Sequence, residues 1–322
     1  MTWALVVPLL AGALLGAAAV PLARRLGPRA TARLLPVTGL LVAGSTLVAL
    51  AAVAVTVLAR VAEIAEIGQI SIPALPSGPA EFPLPVGIGL GVVVASSLGV
   101  AGRRAVRVVV ETVEAQRVCR RLARRADGVH LLDDDRPRAF AVAGPTGRVV
   151  VSSGMLRSLS GPEQAAVLAH ERSHLRRRHH LGLLAVQVAA SANPLLRPLL
   201  AVTALAVERD ADEDAAVAVG DRRVVALALA RAGLAGAAAG RAAAPAAGLG
   251  AAEGHVPLRV EALLAPPVRP HHWLAVPVVA IALLATWASL ANGITTDHHI
   301  ARARAAYSAL GTAQERGGPA SR

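Results

Sequence analysis

Four uncharged stretches, Met1–Ala23, Leu34–Ala59, Phe82–Gly102 and Trp273–Thr296, restrict the fold of this chain more than any other feature. Each reaches the roughly 20 apolar residues that an α-helix needs to cross a bilayer. Inside a bilayer only structures that satisfy their own backbone hydrogen bonds are stable, so these stretches predict helices. Composition agrees, with 54% of the 322 residues hydrophobic. Trp3 and Trp273 sit near segment ends, as interfacial anchors do. Pro8, Pro36, Pro85 and Pro277 fall within or at the edges of the stretches, which membrane helices tolerate. Gly12-xxx-Gly16 and Gly87-xxx-Gly91 have the spacing of close helix contacts, but a chain this rich in Ala and Gly produces that spacing by composition alone. The first stretch is read as a retained span. A secretory signal carries positive charge before its apolar run, whereas here Arg24 and Arg25 follow it.

Arginine placement orients the spans. All basic residues are Arg, and the formal net charge is +12. Arg24, Arg25, Arg29 and Arg33 fill the first connection without an acid, so that connection is expected in the cytoplasm. The Arg60–Glu81 connection is acidic and is expected outside; Arg103, Arg104 and Arg107 return the chain to the inside. The expected organisation is three transmembrane helices in 1–102, a cytoplasmic domain over 103–270, a fourth span over 271–296 and a short extracytoplasmic tail over 297–322. The N-terminus and C-terminus are then both outside.

His170-Glu171-Arg172-Ser173-His174 reads H-E-x-x-H. On a helix, positions i and i+4 share a face, so both imidazoles can reach one metal ion. Glu171 is placed to act on water at the metal rather than on the metal itself. That is the layout of a zinc peptidase, with two His ligands and a Glu general base. Ser160-Gly161-Pro162-Glu163 has the form of a capping box, and no Gly or Pro interrupts Glu163–Leu175. A solvated basic helix is the plainer reading of the same residues.

A third protein ligand is required, with a position left open. Glu208-Arg209-Asp210-Ala211-Asp212-Glu213-Asp214 supplies it. Glu208 and Asp212 are one turn apart. Glu208 is assigned as third ligand and Asp212 as the carboxylate that accepts a ligand His N–H. Asp210 or Asp212 as the ligand is a rival, and a solvated acidic helix start is the plainer reading. Asp210, Glu213 and Asp214 are expected to point elsewhere.

The remaining segments place the site. Arg103–Ala126 reads as a helix leaving the membrane, with an apolar stripe (Val106, Val109, Val110, Val113). Its basic stripe of Arg117, Arg120, Arg121 and Arg124 suits anionic lipid headgroups better than nucleic acid. Short β runs at 129–132, 139–143 and 148–152 are separated by turn-like sequences, the Asp133-Asp134-Asp135 turn being read as solvated. Arg148–Ser152 is the candidate edge strand for pairing with an extended substrate. Leu181–Val207 reads as two buried or membrane-dipping helices broken at Asn193-Pro194, with a full transmembrane hairpin as the rival. Arg231–Glu253 reads as a mobile loop near the site. Cys119 is the only cysteine, which excludes a disulfide within the chain. His179 and His180 are out of register with the H-E-x-x-H helix and are expected at the surface. His271, His272, His298 and His299 flank the last span and are expected at the interface.

His170–His174, Asn193-Pro194-Leu195-Leu196 and Glu208-Arg209-Asp210-Ala211-Asp212 together resemble the integral-membrane zinc peptidases of the BlaR/MecR type. The related HtpX-like membrane peptidases share the first and last of these elements. Val149–Leu156 resembles the strand and glycine turn that precede the zinc helix in those families, and His255-Val256-Pro257-Leu258-Arg259-Val260 resembles a late element of them. The resemblance covers roughly Ala139 to Leu264. It implies a mainly α membrane fold: four transmembrane helices with a cytoplasmic α+β gluzincin-type zinc peptidase domain containing a small β-sheet. It implies one Zn²⁺ per chain, and His255 and Arg259 as candidates to assist catalysis by stabilising the oxyanion. Arg259 as an ion-pair partner of the 208–214 acids is an equal alternative. The sequence ends shortly after its last apolar segment, so the large penicillin-binding sensor of BlaR/MecR receptors is not expected.

Two classes of function follow. The first is a membrane zinc endopeptidase acting on cytoplasmic or juxtamembrane protein, either on a BlaI/MecI-like repressor in signalling or, as in HtpX-like proteases, in membrane-protein quality control. The second is a non-catalytic, zinc-containing membrane signalling scaffold. Glu171 favours the first, since a structural zinc site has no need of a base. The partners expected are a protein or peptide substrate and the lipid bilayer, with no direct contact to nucleic acid.

Overall fold

A computed structural model of the chain describes residues 2–75, 83–125, 127–144, 146–238, 255–267 and 270–316. Helix α1 (Thr2–Leu26) ends at Gly27, whose φ of 79° lets the chain turn at once into α2 (Pro28–Leu58), with Pro28 in its first turn. A short α3 (Ala62–Ile67) precedes α4 (Leu84–Cys119). Strands β1 (Ala123–Arg124), β2 (His130–Leu132), β3 (Ala139–Val142) and β4 (Arg148–Ser152) follow. Then come α5 (Ser153–Ser158), α6 (Gly161–Arg177), α7 (His179–Ala192), α8 (Pro198–Val219), α9 (Arg222–Ala238), α10 (Val256–Leu264) and α11 (Ala275–Arg316).

Among the described residues four helices are long and apolar enough to cross a membrane: Leu5–Leu26, Pro28–Leu58, Leu84–Cys119 and His272–Thr312. Large side chains such as Leu14, Val37, Val92, Leu98, Leu284 and Leu290 point outward from them. That much contiguous apolar surface suits lipid and not water. Two of these helices run further than the apolar stretches foretell. α4 passes Gly102 without a break and ends at Cys119, so Arg103–Ala126 is not a separate helix. Arg120, Arg121 and Arg124 therefore lie beyond its end, and the four-arginine stripe is not one helical face. α11 continues through residue 296 to Arg316.

The ends of the bundle are identified by contacts. At one end the His271 N–H donates to the Arg25 carbonyl oxygen, tying the start of the last span to the α1–α2 junction. At the other, the Ser71 N–H donates to the Ala303 carbonyl oxygen, and Ala59, Ala65, Ile70 and Ala303 form a small core.

Residues 181–207 enter the bundle. α7, a 3₁₀ turn over Pro194–Leu196 and the start of α8 form a hairpin. Val186, Ala189, Leu196 and Leu199 share one core with Ala11, Leu15, Leu35 and Val42 of the first two helices. The tip is polar but satisfied. Asn193 Oδ1 accepts from the Leu195 N–H at 3.0 Å, and Asn193 Nδ2 donates to the Thr46 hydroxyl at 3.1 Å. Gly12 and Gly16 make room for it. A methyl on Gly12 would come within 2.7 Å of Asn193 Nδ2, and one on Gly16 would overlap the Leu195 carbonyl oxygen. These glycines, and Gly87 against Val57, are therefore packing devices and not products of composition alone.

The sheet has the order β1-β2-β4-β3, with β2 parallel to β4 and the other pairs antiparallel. β4 is central, which corrects its reading as the edge. Val149 and Val151 pack with Met155, Leu159 and Leu168 on one face, while Val150 packs with Cys119 and Val142 on the other. A strand apolar on both faces needs cover on both faces and so lies inside a sheet. The edge beside α6 is β3, whose Val142–Ala143 carbonyls accept from the Gln116 side chain at the end of α4. The 231–253 segment begins inside α9, and its part from residue 239 onward lies outside the described residues.

The hairpin gives a test. Gly16→Ala should lower the stability of the detergent-solubilised protein by about 1–3 kcal/mol, the usual cost of overpacking. Gly44→Ala, where an added methyl meets nothing within 4 Å, should be neutral in the same thermal unfolding measurement. Equal melting temperatures for both variants would contradict the inserted hairpin.

Candidate metal centre

α6 presents the H-E-x-x-H pair from a well-fixed start. Glu163 Oε2 accepts from both the Ser160 N–H and the Ser160 hydroxyl at 2.8 Å, and Glu163 Oε1 accepts from Arg231 of α9 at 2.6 Å. The helix ends at Arg178, which adopts a left-handed φ of 53°. α8 lies against α6, and its middle is largely buried: Glu208, Asp210, Ala211, Asp212, Asp214 and Ala215 are all inside.

His170, His174 and Glu208 converge. Their ligand atoms lie within 4.8 Å of one another. His170 Nε2 and His174 Nε2 are 3.0 Å apart, and they lie 3.5 and 3.6 Å from the two Glu208 oxygens. Atoms about 2.0–2.1 Å from a tetrahedral zinc stand about 3.3 Å from each other, so the spacing fits such an ion.

The hydrogen bonds behind the ligands make the same point chemically. His170 Nδ1 is 3.0 Å from Asp212 Oδ1. Asp212 also accepts two hydrogen bonds from Arg259, at 2.7 and 2.8 Å. An ionised carboxylate only accepts, so in the neutral ring the His170 proton is on Nδ1 and the Nε2 lone pair faces the centre. On the other side, His179 Nε2 lies 3.2 Å from Asp210 Oδ2, and His179 Nδ1 lies 3.0 Å from His174 Nδ1. Asp210 fixes the His179 proton on Nε2. His179 Nδ1 then accepts from His174 Nδ1–H, and His174 Nε2 is also a lone pair. Two inward imidazole nitrogens and a carboxylate thus meet in a buried space, a set that either an added proton or a metal cation would satisfy.

Electrostatics follow the same layout. Burial lowers the His170 pKa, but the hydrogen bonds to Asp212 and Glu208 outweigh it and push it up to about 10; a divalent cation meets the same demand for positive charge. Burial, followed by the His170 charge, pulls His174 down to about 3, keeping it a neutral donor. Burial opposes ionisation of Glu208, but His170 and the surrounding cations hold its carboxyl far below the usual range. Burial pushes Glu171 up to about 7, against the pull of His170 and of a hydrogen bond from Ala141 in β3. A group with that affinity can both take and return a proton near neutrality.

The structure also departs from the sequence reading. His179 is 5% exposed and not a surface residue. The left-handed Arg178 breaks the helical register and brings His179 back over His174. Asp210 and Asp214 do point elsewhere than the Glu208 face, and both are buried there. Asp214 accepts from Ser173, Arg29, Arg176 and Arg177. Arg29, assigned to the first cytoplasmic connection, donates to Asp210 at 3.2 Å and to Asp214 at 2.6 Å. Arg259 is engaged by Asp212 and lies 3.0 Å from Glu208, so it is the ion-pair partner and not a free oxyanion donor. His255 starts α10, one turn before Arg259, with its Nδ1 buried and unpartnered among the described residues. The 133–135 acids form a surface turn that pairs with Arg138 and Arg157.

A family model described as peptidase family M48 matches residues 109–251, the segment that carries the triad. Similar relatives include proteins named protease HtpX homolog. That of Acidiphilium cryptum (strain JF-5) is 39% identical over 70 residues, covering 20% of this chain and 23% of the relative. That of Thermodesulfovibrio yellowstonii is 35% identical over 74 residues, covering 21% and 26%, and that of Thermoplasma acidophilum 41% over 64 residues, covering 19% and 20%. The matches span about a quarter or less of the length of these curated relatives. No solved structure matches the chain. Fold, triad and similarities together point to the class of membrane metallopeptidases. Within it the resemblance is to the M48 and HtpX kind.

Because Arg259 neutralises two buried carboxylates, its loss should be felt in the fold. Arg259→Ala should cost about 3–5 kcal/mol, the usual penalty for leaving a buried charge unpaired. Thermal unfolding checks this; a melting temperature equal to wild type would return Arg259 to the catalytic candidates.

Proposed function

We propose that this protein is an integral-membrane zinc endopeptidase that hydrolyses peptide bonds in cytoplasmic or juxtamembrane protein segments. The observation that carries the reading is the convergence of two imidazole nitrogens and the Glu208 carboxylate beside Glu171. His170, His174 and Glu208 would hold one zinc ion, and Asp212 would orient His170. Zinc in such a site supplies Lewis acidity, which acidifies water and polarises a carbonyl. Glu171 does the proton work: its carboxylate takes the proton of the attacking water and returns it to the departing amine. Its raised affinity suits both steps. An extended substrate would lie along the edge of β3, replacing bonds that Gln116 and Glu171 make there, with backbone pairing indifferent to side chains. Arg259 is occupied, so His255 is the donor proposed for the oxyanion.

Similarity to HtpX homologs supports membrane-protein turnover as the setting. Cleavage of a BlaI/MecI-like repressor is a second reading, supported by the Asn193-Pro194-Leu195-Leu196 turn shared with BlaR/MecR proteins. For orientation, the acid-free arginines of the α1–α2 junction support a cytoplasmic placement. Through Arg29 that junction shares its side with the metal centre. The N-terminus and the 297–322 tail would then be outside.

Two experiments test this. Wild type should carry about one zinc per chain by elemental analysis, lost in His170→Ala. Glu171→Gln should keep the zinc yet lower cleavage by about 10²–10⁴-fold, read as N-terminal fragments present in wild-type cells and absent from the variant. Identical fragment sets would leave the zinc-containing scaffold as the better reading. Separately, reporter fusions at Arg29 and within 127–136 should report cytoplasm, and a C-terminal fusion the outside; an external signal at 127–136 would overturn the orientation.

A further inference from the structure

We infer that Arg29, Asp210 and His179 form an orienting relay through which the packing of the transmembrane helices sets the metal affinity of the site. The inference rests on the zinc reading above and concerns how that site is held.

The relay is continuous. Arg29 stands in the first turn of α2 and donates through Nε to Asp210 Oδ1 at 3.2 Å. The other oxygen of Asp210 meets His179 Nε2 at 3.2 Å, and His179 Nδ1 meets His174 Nδ1 at 3.0 Å. Asp210 is 2% exposed and His179 5%. With one partner on each oxygen, the plane of the Asp210 carboxylate is fixed, and so is the ring of His179. Remove Arg29 and one buried oxygen loses its partner, leaving the carboxylate free to rotate away from His179. His174 then loses the acceptor that keeps its proton off Nε2, the atom that faces the metal.

The metal centre has two supports of different origin. His170 is oriented by Asp212 and Arg259, both in the domain built from α8 and α10. His174 is oriented by a chain that ends in a membrane helix. The anchor of that chain is itself tied to two other spans. Gly27 alone separates α1 from α2, which carries Arg29, and the Arg25 carbonyl accepts from His271 at the start of the last span. A second contact reinforces the link: Arg29 also donates to Asp214 at 2.6 Å, and Asp214 accepts from Ser173, the neighbour of His174. A displacement of α1 and α2 against the domain therefore has a side-chain route to His174. Arg29, Asp210 and His179 are positioning residues, since none of them touches the metal position itself.

The test uses the full-length chain in detergent or lipid nanodiscs and reads zinc affinity by chelator competition, with the visible spectrum of the Co²⁺-loaded protein as a report of ligand geometry. His179→Phe should weaken zinc about 10–100-fold, as loss of an outer hydrogen-bond partner does. His179→Asn restores an acceptor to His174 but cuts the link to Asp210, and should recover most of the affinity. Arg29→Ala should weaken zinc several-fold and shift the Co²⁺ spectrum, with Arg29→Lys recovering part. In the His179→Asn background, Arg29→Ala should have a smaller effect than in wild type, because only the route through Asp214 and Ser173 remains. Unchanged zinc affinity in His179→Phe or in Arg29→Ala overturns the relay. So does an equal loss from Arg29→Ala in both backgrounds, which would mean that Arg29 acts through the fold at large. A wild-type chain that takes up no metal overturns the zinc reading and the relay with it, whereas a failed relay with normal zinc content leaves the enzyme reading standing.

Discussion

Four carboxylates are buried along one helix, and the rest of the structure is arranged to meet them. Glu208, Asp210, Asp212 and Asp214 all lie inside on α8. Charges taken out of water without partners would cost several kcal/mol each, so each carboxylate needs a donor at close range. Arg259 meets Asp212 and Glu208 from α10; Arg29 meets Asp210 and Asp214 from α2; Arg176, Arg177 and Ser173 meet Asp214 from α6. The two imidazoles that close the remaining gaps are His170 against Asp212 and His179 against Asp210. The geometry of the candidate metal site is a consequence: these acceptors hold the outer ring nitrogens, so the other two nitrogens, on His170 and His174, turn inward toward Glu208.

The same helix explains why the domain and the membrane part cannot be separated. α8 begins in the bundle, where Leu199 packs with the first two helices, and ends under the metal centre. Its lower half needs apolar neighbours and its upper half needs cations. The Asn193 hairpin solves the entry. It turns inside the bundle with its polar tip bonded to Thr46, in space left by two glycines. The break in the helix is tolerated because Asn193 is buried and its side chain bonds within the protein.

Much of this was legible in the residues, and the failures have identifiable causes. Long uncharged stretches and the i, i+4 spacing of His170 and His174 are local signals, so the helices and the pairing on α6 could be read directly. Glu208 and Asp212 needed only the further assumption that α8 is helical. His179 was misread because register was carried past Arg178, and a non-Gly residue at positive φ leaves no sequence mark. Asp210 and Asp214 point away from the Glu208 and Asp212 face, as their spacing implies, but the partners they meet there lie on α2 and α6 and leave no local mark in the sequence. Val149-Val150-Val151 did carry the signal of a central strand, in three successive apolar residues that no strand with one wet face would need. Arg29 was read as a topology signal and is also an ion-pair partner; only the fold could bring together residues 181 positions apart.

Arg29 also shows why a charge near a membrane can serve two purposes without conflict. A basic residue at the first turn of α2 favours retention of that end on one side of the bilayer, whatever it binds. The same side holds the acids of α8, which need a cation that α6 cannot supply alone, because Arg176 and Arg177 both reach Asp214. Asp210 has no arginine other than Arg29 within hydrogen-bonding distance among the described residues. The topological signal and the support of His174 are therefore carried by one side chain. A change that moved this charge would disturb the site even if the spans kept their order.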